Sequence, residues 1–239
     1  MSINTQTTVG ELVAERPGRA RLFEKLGIEY CCGGKKPLES ACVEAGLDAK
    51  TVILMLEASE TSGSTAEERD WASAPISELV DHIITTHHQY LRQELPRVSN
   101  LIDKVVNAHG SRAAKLSNVR AVFGGLKSEL DSHMWKEENI LFPACKEIGD
   151  NNGILSGPFG SVSQPIAVME MEHDRAGRAL VELRELTKDY TAPDWACNTY
   201  RAMLDGLLSI EKDTHEHISK ENNILFPRVL ELESKQQKR

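Results

Sequence analysis

The sequence predicts an all-α fold: a small N-terminal helical domain followed by an up-down-up-down four-helix bundle. Three observations support this. No stretch of useful length alternates apolar and polar residues as a half-buried strand would. From Pro75 onward, apolar residues recur with a helical period through four long segments. The segment His133-Met-Trp-Lys-Glu137-Glu-Asn-Ile-Leu-Phe-Pro143 returns 84 residues later as His217-Ile-Ser-Lys-Glu221-Asn-Asn-Ile-Leu-Phe-Pro227, so the bundle reads as a duplicated helical hairpin.

The elements follow in order. Thr8-Val-Gly-Glu11 has capping-box form and opens a short helix to about Glu15. Pro17 suits the first position of a second segment with Ala20, Phe23 and Leu26 on its apolar stripe, and Gly27 is placed to stop it. Tyr30-Cys-Cys-Gly-Gly34 reads as a turn, and short helices follow over Pro37 to Ala45 and Asp48 to Ala58. The polar stretch after Ala58 reads as a linker, which sets the domains at 1–58, linker 59–74 and bundle 75–239. The long helices are expected over Ile76 to Ala108, Asn118 to Ile148, Pro165 to Tyr190 and Asp194 to Leu232. Pro96 should bend or break the first of them.

A His and a Glu four residues apart share one helix face. Two such pairs, His133 with Glu137 and His217 with Glu221, each stand at the same offset from Ile-Leu-Phe-Pro. His88 lies 45 residues before the first motif and His173 lies 44 before the second, so each hairpin supplies one lone His and one pair. All six fall within the apolar stripes of their helices, where burial without a cation would strand two carboxylates. Imidazole with carboxylate suits iron, manganese or zinc. Four imidazoles and two carboxylates suit a pair of carboxylate-bridged iron ions with open positions for oxygen, nitric oxide or peroxide.

Neighbouring histidines are separated by register. His87 is turned about 100° from the stripe of His88, and His215 does not share the offset of His217. His82 and His109 have no counterpart in the repeat and read as solvated or capping. Glu129 and Asp213 stand four residues before His133 and His217, where each carboxylate could accept the free ring N–H of a ligand histidine or serve as a proton or cation relay at the site's edge.

Cys31-Cys32 precedes two glycines and Lys35-Lys36, whose charge would favour a reactive thiolate. A bridge between adjacent cysteines would be strained. Cys42, Cys145 and Cys197 read as plain buried thiols. The thiol pair and the metal site are expected to be separable, because a polar linker lies between them. Five unevenly spaced cysteines do not make a disulfide framework. A net charge of −8 argues against nucleic acid and against anionic membranes. There is no signal-like N-terminus and no apolar run near the roughly 18 residues that span a bilayer. The expected compartment is the cytoplasm.

Tyr-Cys-Cys-Gly-Gly-Lys with the two His-x-x-x-Glu…Asn-Ile-Leu-Phe-Pro motifs resembles the bacterial repair-of-iron-centres proteins (YtfE/ScdA/DnrN type) over nearly the whole chain. The resemblance implies an ScdA-type domain ahead of a hemerythrin-like bundle. It also implies two non-haem iron ions, carboxylate- and oxo-bridged, on His88, His133, Glu137, His173, His217 and Glu221. The implied role is restoring iron–sulfur clusters damaged by nitrosative or oxidative stress, with damaged cluster proteins as clients and nitric oxide and oxygen as small ligands. Oligomeric state is left open between monomer and homodimer. Two alternatives use the same irons: an enzyme reducing nitric oxide to nitrous oxide, and a sensor or store of oxygen or iron.

Overall fold

The structure is a computed structural model and describes residues 3–61, 69–151, 153–155 and 160–237. It is all-α; the one β-type contact among the described residues is an isolated bridge between Thr8 and Pro37. Part of the expected linker, 62–68, lies outside the described residues.

The short helices are α1 (Val9–Glu15), α2 (Ala20–Leu26), α3 (Leu38–Glu44) and α4 (Ala49–Thr61). Thr8 caps α1 by accepting from the Glu11 N–H, while the Glu11 carboxylate accepts from the Thr8 N–H at 2.9 Å. Pro17 opens a short 3₁₀ turn ahead of α2, and Gly27, at φ 67°, ends α2 in the left-handed region.

The long segments are α5 (Ile76–Ile83), α6 (Gln89–His109), α7 (Lys115–Lys136), α8 (Phe142–Asp150), α9 (Ser163–Leu186), α10 (Asn198–Lys220) and α11 (Phe226–Gln237). Three joins are single π-helical turns: Ile84–His88 between α5 and α6, Glu137–Leu141 between α7 and α8, and Glu221–Leu225 between α10 and α11. Each closes with a bond five residues back, from the N–H of Gln89 to Ile84, of Phe142 to Glu137 and of Phe226 to Glu221. In the two motif copies the next residue is Pro143 or Pro227. It offers no N–H where the chain returns to four-residue spacing, so the wide turn meets no competing donor there. Pro96 neither breaks nor ends its helix, since α6 continues through it to His109. The third long helix stops at Leu186, short of the expected Tyr190. Lys188, Asp189 and Tyr190 are all left-handed there, a conformation that L-residues cannot continue as a helix.

By contact, the chain divides into two compact units. One comprises Asp81–Ala144 and Val162–Thr214. Its core comes from Leu91, Leu95 and Val98 on α6, Phe123, Leu126 and Leu130 on α7, Leu180 and Leu183 on α9, and Met203 and Leu207 on α10. The other comprises Met1–Val80, Cys145–Ser161 and His215–Arg239. Its core joins Val9, Leu12, Phe23, Tyr30, Leu38 and Leu56 of the short helices to Ile218 of α10. The N-terminal helices are therefore not a free appendage within this unit; they pack on the segment that carries His217 and Glu221.

Candidate metal centre

In the first unit three of the candidate ligand residues sit at or beside points where helices widen. His88 closes one π turn, Glu137 opens another, and His133 lies one turn before Glu137 on α7. His173 comes from the regular helix α9. All four are buried. His88 Nε2 lies 3.3 Å from Glu137 Oε2, His133 Nε2 lies 3.2 Å from Glu137 Oε1, and the Nε2 atoms of His133 and His173 are 3.1 Å apart. The His88 ring stacks on Phe142, with centroids 5.6 Å apart, which explains the phenylalanine of the motif.

The far sides of two rings are held by carboxylates. His88 Nδ1 is 2.7 Å from Glu138 Oε1, and Arg92 donates to the other Glu138 oxygen at 2.7 Å. His133 Nδ1 is 3.0 Å from Glu172 Oε2, and Lys136 is paired with the other Glu172 oxygen. The hydrogen bond from His133 outweighs burial and, with Lys136, holds the Glu172 carboxyl down to about 2. At Glu138, burial alone would raise the carboxyl. Hydrogen bonds from Arg92 and His88 prevail and hold it below the usual range. An imidazole whose Nδ1 faces an ionised carboxylate carries its proton there, so its Nε2 presents a lone pair. The Nε2 lone pairs of His88 and His133 therefore face Glu137 oxygens, and that of His133 also faces His173. A cation placed among these atoms would make them a ligand set. The residues fit a metal ion.

The second unit repeats the pair. His217 Nε2 lies 3.0 Å from Glu221 Oε1, both residues are buried, and Glu221 opens the third π turn. His215 is half-buried with its ring edge-on to Tyr30, 6.3 Å between centroids.

The neighbouring carboxylates differ from the expected ones. Glu129 is exposed, and the His133 nitrogen it was expected to hold is bonded to Glu172. Asp213 is bonded to buried His87 at 2.8 Å. A carboxylate four residues back on the same helix lies alongside its histidine, whereas Glu138 and Glu172 reach across from another helix. Each of these two adjoins a candidate ligand in sequence, Glu137 or His173, and that adjacency was the available signal.

The thiols also differ from expectation. Cys31 is buried. The hydrogen bond with Cys32, burial and the charge of Glu29 all push its thiol up, the opposite of an activated thiolate, while Lys36 is paired with Glu44. Cys197, expected to be buried, is exposed at the start of α10. The ring of His109, 3.3 Å away, with backbone N–H groups of Tyr200 and Thr199, brings its thiol down to about 7.

Comparison with known proteins places this geometry. The sequence profile of the hemerythrin HHE cation binding domain matches residues 79–229, and that of ScdA_N, a domain of unknown function, matches residues 5–60. A "Probable iron-sulfur cluster repair protein" of Haemophilus influenzae is 37% identical over 94% of this chain and 97% of its own length. An "Iron-sulfur cluster repair protein YtfE" of Escherichia coli is 40% identical, and one of Escherichia fergusonii 39%, each over 93% of this chain and 96% of its own. The chain belongs to the repair-of-iron-centres family. Membership of that family accounts for both halves of the sequence, and the hemerythrin match brings non-haem iron binding with it. Among the described residues no helix is long and apolar enough to cross a membrane.

Proposed function

We propose that this chain repairs iron–sulfur clusters by supplying iron from a two-iron centre held by His88, His133, Glu137, His173, His217 and Glu221. The observation that carries the reading is the convergence of the Nε2 lone pairs of His88 and His133 on the Glu137 carboxylate, with Glu138 and Glu172 fixing the protons on the far side. The His217–Glu221 pair repeats His133–Glu137 in spacing, burial and π-turn position, which supports its serving as the second half of the same ligand set. Six ligand side chains are too many for one ion, and two carboxylates at the openings of two wide turns suit bridging. When bound, ferrous iron supplies exchangeable ions with open positions for small gaseous ligands.

The chain's own residues do the remainder. The surrounding apolar core limits water at the site. Arg92 and Lys136 sit on Glu138 and Glu172 at the outer edge of the site, where they offset the acidic charge that holds the rings. The clients in this reading are cluster proteins that have lost iron to nitric oxide or oxidants in the cytoplasm. The relatives' names, which refer to iron–sulfur cluster repair, support that choice.

The test is anaerobic incubation of the reduced, iron-loaded protein with a nitric-oxide-damaged cluster protein, following iron and gas products together. Iron passing to the acceptor with recovery of its cluster is the expected result. Repeated turnover to nitrous oxide with all iron retained would replace this reading with nitric oxide reduction.

A further inference from the structure

We propose a separate metal site in the N-terminal loop, in which Cys31, Cys32 and Glu29 bind one soft divalent cation of the zinc, cadmium or ferrous class through two thiolates and a carboxylate. The three residues place one ligand atom each within 4.8 Å of one another. In an extended chain adjacent side chains point to opposite faces. Here the Glu29 carboxylate bends the backbone, accepting from the N–H of Cys31 at 2.9 Å, of Cys32 at 3.2 Å, and of Gly33. Both sulfurs consequently lie on one side, 3.8 Å apart. Two thiolates on a tetrahedral ion with metal–sulfur bonds of about 2.3 Å stand roughly 3.8 Å apart, so the pair already has the bite of a chelate.

Glu29 Oε1 lies 2.8 Å from Cys31 Sγ and accepts its S–H. On binding, the cation replaces both thiol protons, which leave to solvent, and Oε1 backs away to its own bond length of about 2.0–2.2 Å from the metal. Oε1 accepts from the N–H groups of Cys31 and Cys32 and from the Cys31 S–H, and the ion takes the place that the thiol proton leaves. Cys32 is only part-buried and Glu29 is exposed, which gives the ion a way in and a fourth position open to water or an incoming ligand.

The inference is independent of how the bundle uses its iron, and its test is arranged accordingly. The iron-loaded full-length chain, carrying Cys197→Ser to remove the exposed thiol, is titrated anaerobically with cadmium. The readouts are the ultraviolet thiolate-to-cadmium band, proton release and retained iron. The expected result is one equivalent bound with the band, about two protons released, and bundle iron unchanged. Cys32→Ser should abolish both the band and the proton release at this site, and Glu29→Gln should shift the titration to higher cadmium. Cys31→Ser/Cys32→Ser should bind none at this site. Because Cys31 is buried, Cys32→Ser alone decides the matter if the double variant does not fold. A band that survives Cys32→Ser, or cadmium uptake only in exchange for bundle iron, overturns the proposal.

Discussion

Asn223 holds Tyr30: its side-chain amide donates to the Tyr30 carbonyl at 2.9 Å. Asn222 does the same to the Cys31 carbonyl at 3.3 Å. These are the two residues after Glu221, so the cysteine loop is bonded directly to the π turn that Glu221 opens. Gly10 and Gly34 permit the approach, since a Cβ on either would fall 2.2 or 2.3 Å from Asn223 Oδ1.

A chain beginning near Asp70 should therefore lose stability and iron, rather than keep its centre as a separable bundle would. Ile218 and the two asparagines would be stripped of their partners. Iron content and thermal unfolding of the truncated protein check this, and full iron retention would refute it. Gly34→Ala should give a milder version, about 1–3 kcal/mol by denaturant unfolding.

Iron should load at about two ions per chain. Glu137→Ala and Glu221→Ala should each lower that content, whereas His109→Ala, which removes a residue bonded to Cys197, should leave it unchanged. Metal analysis after expression with ample iron decides. One ion per chain, or equal losses in all three variants, would contradict the ligand assignment.

Glu138→Gln and Glu172→Gln should each weaken iron binding by roughly 10–100-fold without unfolding the protein. A neutral amide no longer fixes the proton of His88 or His133 on Nδ1. Glu129→Gln, at an exposed position, should change little. Competition against a chelator measures all three, and a larger effect at Glu129 would reverse the assignment.

Alkylation of Cys197 should rise with pH through a midpoint near 7, because the thiolate forms as the group deprotonates at its depressed value of about 7. His109→Ala should move the midpoint up toward the ordinary thiol value of about 8.5. Cys31, held protonated, should react slowly across the same range. Mass-spectrometric rates on the intact protein separate the two sites.

The helices and the six candidate ligands were legible because burial with a helical period leaves its mark on residue order, and because the repeat fixed a common offset for His133 and His217. Register also set His87 and His215 aside, and in the structure these bond to Asp213 and face Tyr30. Two features left no such mark. Glu138 and Glu172 act across helices, so no spacing within one helix points to them. The π turns change the period by one residue for a single turn, which a stripe-based reading averages away. The end of α9 is set by the left-handed run at Lys188–Tyr190, for which no glycine gave warning.

Each π turn is one residue more than an α-helix needs. Removing Asn139 or Asn223 would let the backbone close with ordinary spacing, and the chain beyond would keep its register, because the wide turn already absorbs the extra residue. The change would fall on the turn itself, where Glu137 or Glu221 stands at the opening. The shortened helix would form more readily in isolation, yet the carboxylate would no longer be presented from a widened turn. Local regularity and the assembled ligand set are thus opposed at a single inserted residue. Variants selected only for thermal tolerance should tend to shed that residue, and with it the capacity to hold iron.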